Sequence, residues 1–195
     1  MGVWPVFLPI EMYQDHGNQF AVGDVIAWEV LLVDGEQQDW PTERLVDSTV
    51  RIIPRPAWAV RGALADTGAV RVCWCGPEPV GSVLVLKAGL VADFWNPPIP
   101  TTILATIHRI EVVRQKAALS LSGVWMPTGT WSLTPVERTP PLRGVNTHDP
   151  GAEHDVGLLL TVEISSSTTR TYEELGTGVG DPSVGSGIER TRPRA

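Results

Sequence analysis

The segment Phe20-Ala21-Val22-Gly23-Asp24-Val25-Ile26-Ala27-Trp28 decides the fold class. A Gly-Asp pair stands between two apolar runs. Glycine accepts the positive φ of a tight turn, and aspartate can bond its own backbone. From Val25 the chain continues Val-Ile-Ala-Trp-Glu-Val-Leu-Leu-Val, a β-branched and aromatic run of strand length. A tight turn feeding such a run reads as the entry to a core strand of a β-barrel or sandwich. That is a scaffold and does not specify an activity.

The same signature recurs on both sides. Residues 4–12 put Trp4, Val6, Leu8, Ile10 and Met12 on one face. Residues 24–33, 49–53, 69–75, 82–94, 103–114, 118–125, 130–136 and 155–164 are further apolar runs, and Gly89 marks a bulge or bend in one of them. A Pro-Thr-Gly turn is expected at 127–129. Only residues 42–48 (TERLVDS) carry helical character, with Thr42 as cap after Pro41. About nine strands with almost no helical period predict an all-β chain, a mainly antiparallel barrel or sandwich. Residues 54–68 are the place for a connecting segment. The barrel or sandwich would then consist of an N-terminal β unit over 1–53 and a C-terminal β unit over 69–164.

Residues 165–195 have one aromatic side chain and few large aliphatics. Such a segment cannot bury enough apolar area to offset its ordering entropy, so a disordered tail is expected there. Its deletion is expected to leave the folded body unaffected.

Across the 195 residues, 43% are apolar, ordinary for a globular protein. The net charge is −7. The tail is neutral, so the charge falls on residues 1–164. An acidic body repels phosphate backbones, which argues against a nucleic-acid partner. No run is long and apolar enough for a membrane helix, and residues 1–10 lack the basic start of a signal peptide. The expectation is a soluble cytoplasmic protein with no membrane partner. Only Lys87 and Lys116 are lysines among fifteen basic residues. With the Ala, Val and Gly content, this suggests a high-GC source such as an actinobacterium.

Three groups of side chains carry chemistry worth weighing. Cys73 and Cys75 flank Trp74, so on a strand both sulfurs share a face. Tetrahedral zinc would need two more ligands, and the pair reads as structural core thiols. Residues 148–155 (HDPGAEHD) supply His148, Glu153, His154 and Asp155 as potential metal ligands. Their spacing matches no established metal signature, and the plain reading is a polar loop. Asp93, Trp95 and His108 would converge as a ligand or acid–base site if the runs 82–94 and 103–114 paired as a wide hairpin. No nucleophile elbow or phosphate loop is present, and no cofactor is implied. Eight tryptophans are available for cores or binding faces.

The opening segment also resembles a family. FAVGDVIAW is similar to the Phe-x-Val-Gly-Asp-x-Val-x-Trp motif near the N-terminus of an uncharacterised actinobacterial domain family of unknown function. Residues 89–113, 127–136 and 157–163 fit its later blocks more loosely. Members of that family often carry a cysteine pair before the motif, where this chain has Asp15-His16-Gly17-Asn18. The resemblance therefore implies no metal or redox role, and it carries no activity. The functional expectation is a non-enzymatic binding or protein-interaction module, using Trp-bearing loops or an exposed sheet edge, with a protein or small-molecule ligand as partner. The alternative is a metal-binding protein or hydrolase-type enzyme built on residues 148–155 or on the Asp93/His108 pair.

Overall fold

The structure is a computed structural model that describes residues 2–16, 19–35, 44–59, 61–77, 79–92, 97–119, 125–142 and 153–169. In chain order these form β1 (Gly2–Pro9), α1 (Ile10–His16), β2 (Val25–Asp34), β3 (Val46–Ile53) and β4 (Ala63–Asp66). There follow β5 (Arg71–Trp74), β6 (Val83–Ala92), β7 (Thr101–Leu119), β8 (Trp125–Val136) and β9 (Glu153–Thr169). The chain is all-β, as its alternating runs predict. Hydrogen bonding runs β2-β5-β4-β3-β6-β1-β9-β7, and β7 pairs back onto β2, closing eight strands into a barrel. β8 lies beyond this circuit, on β7. The ladders are antiparallel except for short parallel contacts of β1 with β6 and β2 with β5. β2 also pairs with β6, a chord across the circuit.

The FAVGDVIAW segment is where the barrel closes. Gly23 has a φ of 91°, which only glycine adopts without strain. Its N–H donates to the Ile107 carbonyl, and the Ile107 N–H donates to the Asp24 carbonyl. Asp24 Oδ2 accepts from the Ala21 N–H, which fixes the turn. Phe20 is tied to Thr139 in both directions, through Thr139 Oγ1 and through the Phe20 carbonyl. Its ring meets Trp28 edge-on at 5.3 Å and Tyr13 at 6.1 Å. Each named residue of the motif thus joins β2 to β7 or to the strap after β8.

Inside the barrel, alternate residues of the long strands form one core. β9 contributes Leu158, Leu160, Val162 and Ile164; β7 contributes Ile103, Ile107, Ile110 and Val112; β1 contributes Trp4, Val6 and Leu8. Burial of each such side chain is worth about 1.5–3 kcal/mol. A second small cluster of Ala59, Leu64, Cys73 and Ile99 lies against Trp58, Leu31 and Ile53.

Several local readings change. Val46–Ser48 belong to β3, where they pair with Leu86–Ala88, in place of the helical character expected there, and residues 42 and 43 of that expected turn lie outside the described residues. The β-branched residues that follow extend this ladder, and tertiary pairing overrides a short helical pattern. The apolar alternation over 4–12 ends at Pro9, and Ile10–His16 turn helical so that Ile10 and Tyr13 reach the core. The 127–129 turn is absorbed into β8. Its residues 129–131 fall where the β7–β8 register shifts, between Arg114/Ser132 and Lys116/Thr128. β4 lies within 54–68, and β1 lies between β6 and β9. Strand pairing continues past residue 165. Ser166–Thr169 stand opposite Thr101–Leu104, and Ser165 Oγ donates to the Leu104 carbonyl. A deletion that spares the barrel must therefore begin after Thr169. The remaining tail, 170–195, lies outside the described residues.

Thr67–Val70 close the β4–β5 hairpin, with Gly68 at a φ of 79°. The Gly68 N–H bonds Asp66 Oδ1 at 2.8 Å, and Arg71 Nη2 bonds Asp66 Oδ2 at 2.9 Å. The Gly68 N–H first, then Arg71, hold the Asp66 carboxyl below its usual value. A carboxyl depressed in the folded state stabilises above its unfolded pKa of about 3.9 and loses that contribution as pH falls through the lowered value. Asp66→Asn should cost under about 1 kcal/mol at pH 7, as exposed pairs do. Denaturant titrations should show that difference shrinking below pH 4 as the wild-type carboxyl protonates; a gap independent of pH would contradict this account.

Candidate functional site

Ionisable side chains concentrate on the outer face of β7 and β9. Glu111, Val113 and Gln115 follow one another on one face of β7, and all three are buried. His154, opposite Gln115 on β9, is buried too. The Glu111 carboxylate, only 2% exposed, is gripped by two arginines on the same oxygen. Arg109 Nη2 lies 2.7 Å from Oε1, and Arg44 Nη2, from the segment leading into β3, lies 2.9 Å from it. Glu111 Oε2 and Arg44 Nε are buried without a hydrogen-bond partner among the described residues. They are a complementary acceptor and donor, suited to a second Arg–carboxylate bond or to one bridging water. Nothing in the sequence pattern distinguishes Glu111 from a solvent-facing strand residue; the only signal is an acidic side chain inside a long apolar run.

His108 is the extra residue of a β-bulge, since Ile107 pairs with Val162 and Arg109 with Thr161. The pleat after inward-facing Ile107 sends its ring outward, where Nε2 meets Glu163 Oε2 at 3.1 Å. Both side chains are about half exposed on the barrel surface. Such a pair contributes little to stability, and it sits on an open convex wall. Asp93 and Trp95 lie outside the described residues. Among the described residues β6 and β7 do not pair with each other; both pair with β2. Ala92 stands opposite Val30, whereas the Ile107 N–H bonds Asp24, six residues away along β2. At a strand rise of about 3.3 Å per residue, that separates Ala92 from His108 by about 20 Å.

His148 also lies outside the described residues. Glu153, His154 and Asp155 start β9, so the pleat sends His154 to one face and the two carboxylates to the other. Asp155 Oδ1 takes Arg114 Nε at 2.8 Å, and Arg114 Nη1 also donates to Thr134 Oγ1. Glu153 Oε2 accepts from Ser132 Oγ at 3.2 Å. No three His, Cys, Asp or Glu side chains are grouped for a metal among the described residues.

Trp4, Trp28 and Trp74 belong to the core, and Trp58 packs on the second cluster. Trp131 buries an indole N–H with no partner among the described residues. Trp40 and Trp95 lie outside the described residues.

The outer face of the β3–β6 pair is different. Val83, the first residue of β6, is 58% exposed, Val85 within the strand is 80% exposed, and Val80 in the preceding turn is 57% exposed. Across the ladder Val83 faces Arg51, Val85 faces Thr49 and Lys87 faces Asp47, all exposed. This is an apolar strip edged by two cations and one anion, on a chain that is otherwise acidic. No helix among the described residues is long and apolar enough to cross a membrane. Compared with known proteins, the chain matches no family model, no curated protein and no solved structure.

Proposed function

We propose that this protein is a non-enzymatic interaction module of the bacterial cytoplasm, and that the β3–β6 outer face is its contact surface. The observation that carries the reading is the exposure of Val83, at the start of β6, and of Val85 within it. Valine there gives the barrel nothing it could not have from threonine or lysine, while a docking partner gains buried apolar area. Arg51 and Lys87 beside the valines fit a partner that presents apolar side chains among acidic ones. The face is a better candidate than the β8 edge, because Pro127 and Pro135 on β8 lack the N–H groups that strand addition uses. The family resemblance of FAVGDVIAW and the lysine-poor composition support an actinobacterial source.

Selection of displayed peptides on immobilised protein tests the reading. Wild type should enrich acidic, apolar peptides. The double variant Val83→Glu/Val85→Glu should keep the wild-type melting temperature and lose that enrichment. Equal enrichment on both proteins, or none on wild type, would overturn the assignment.

A further inference from the structure

Cys73 and Cys75 do not share one environment. Cys73 is fully buried in the small cluster with Ala59, Leu64 and Ile99, whereas Cys75, one residue past the end of β5, is exposed. The core-thiol reading therefore fits Cys73 alone. Trp74 between them packs into the main core and pins the strand, so both sulfurs are kept on the opposite face. Their Sγ atoms are 4.0 Å apart, in mutual hydrogen-bond contact. Two residues of strand span about 6.6 Å, inside the upper limit of about 6.8 Å for bridged Cα atoms. Cys75 lies one residue beyond the end of β5. Gly62, at a φ of 81°, lies beside Cys73; even an added Cβ there would stand 3.7 Å from the sulfur.

We propose that Cys73 and Cys75 form a dithiol site that undergoes exchange with small-molecule disulfides, Cys75 attacking and Cys73 resolving. The Cys75 thiolate attacks one sulfur of a disulfide RSSR. The RS–SR bond breaks, RS⁻ leaves and takes a proton from water, and Cys75 carries the mixed disulfide. Cys73 attacks the Cys75 sulfur, and its proton passes to the departing RS⁻ on the exposed side of Cys75. The Cys73–Cys75 bond forms and the second RS⁻ leaves. Two protein thiols are oxidised by two electrons, and RSSR is reduced to two RSH. The order of attack follows from access, since only Cys75 meets solvent. Resolution is favoured because Cys73 is held beside Cys75 and no second molecule has to arrive. A pair of inert packing thiols would need neither the exposed position nor the sulfur–sulfur contact.

The test uses the full chain, oxidised glutathione as probe, and intact-mass measurement. Wild type should lose the mass of two hydrogens and hold little glutathione. Cys73→Ala, which keeps the cluster apolar, should trap glutathione on Cys75, with adduct raised at least about tenfold over wild type. Cys75→Ser should stay unmodified while folded, as its near-ultraviolet circular dichroism will verify. If Cys73→Ala fails to fold, peptide mapping of wild type decides instead, because the bridge must join Cys73 to Cys75. A stable glutathione adduct on wild type, or thiols untouched in wild type, would overturn the proposal.

Discussion

Replacing Arg44 and Arg109 together with alanine should destabilise the barrel by about 3–5 kcal/mol, the usual cost of stranding a buried charge. Each guanidinium reaches the same Glu111 oxygen, at 2.9 and 2.7 Å, and the carboxylate is shut off from water. With both cations gone, the buried carboxylate has neither oxygen partnered among the described residues. Either single variant should cost less, because the remaining arginine still holds Oε1. The decisive comparison is the triple variant that adds Glu111→Leu. Removing the stranded charge and filling its space should recover most of the loss. Denaturant unfolding of the four proteins reads this directly. A triple variant no more stable than the double one would show that the arginine stems act by packing and that charge is secondary.

Gly157→Ala is expected to be the most damaging single methyl addition. Gly157 lies in β9 between Pro9 of β1 and Val113 of β7. A Cβ there would stand 2.5 Å from the Leu8 carbonyl oxygen and within 2.9 Å of the Phe7 ring. The ring could rotate away, but the carbonyl belongs to a strand fixed on both edges. Overpacking of this kind costs about 1–3 kcal/mol, or a fall in melting temperature of about 2–4 °C per kcal/mol for a chain this size. Gly68→Ala offers a control: it adds a methyl at a positive φ with nothing within 4 Å, so backbone strain alone acts there. If calorimetry finds the Gly157 variant as stable as wild type, β1 must be able to shift away from β9.

The strand architecture was legible where alternation was long. The runs containing Val25–Val33, Ile103–Arg114 and Asp155–Ile164 predict β2, β7 and β9 because one face of each must be apolar to line a closed barrel. β4 was not legible, since Ala63–Asp66 is short and is recognisable only through its partners on β3 and β5. The ends of strands were misjudged for a related reason. Ser165–Thr169 offers nothing apolar to bury, yet its backbone completes a ladder with Thr101–Leu104. Composition reports on side chains and is silent on backbone pairing. The candidate site was the least legible part. The expected partner of His108, Asp93, lies outside the described residues, and the structure sets His108 beside Glu163 at a one-residue bulge that no local pattern announces. Nothing in the local pattern marks Glu111, because the segment that brings Arg44 over it lies far away in sequence.

The pairing of Gly2–Pro9 with Gly157–Ile164 has a consequence for how the protein is made. β1 leaves the ribosome before every other described strand of the barrel, yet its antiparallel neighbour β9 is the last of them to appear. Trp4, Val6 and Leu8 therefore remain without that neighbour throughout translation of the intervening strands, and contacts of such long sequence separation form slowly. The nascent chain must keep this apolar edge from pairing elsewhere until β9 emerges. Pro5 and Pro9 within β1 are placed to do so, each removing an N–H that a wrong partner strand would need.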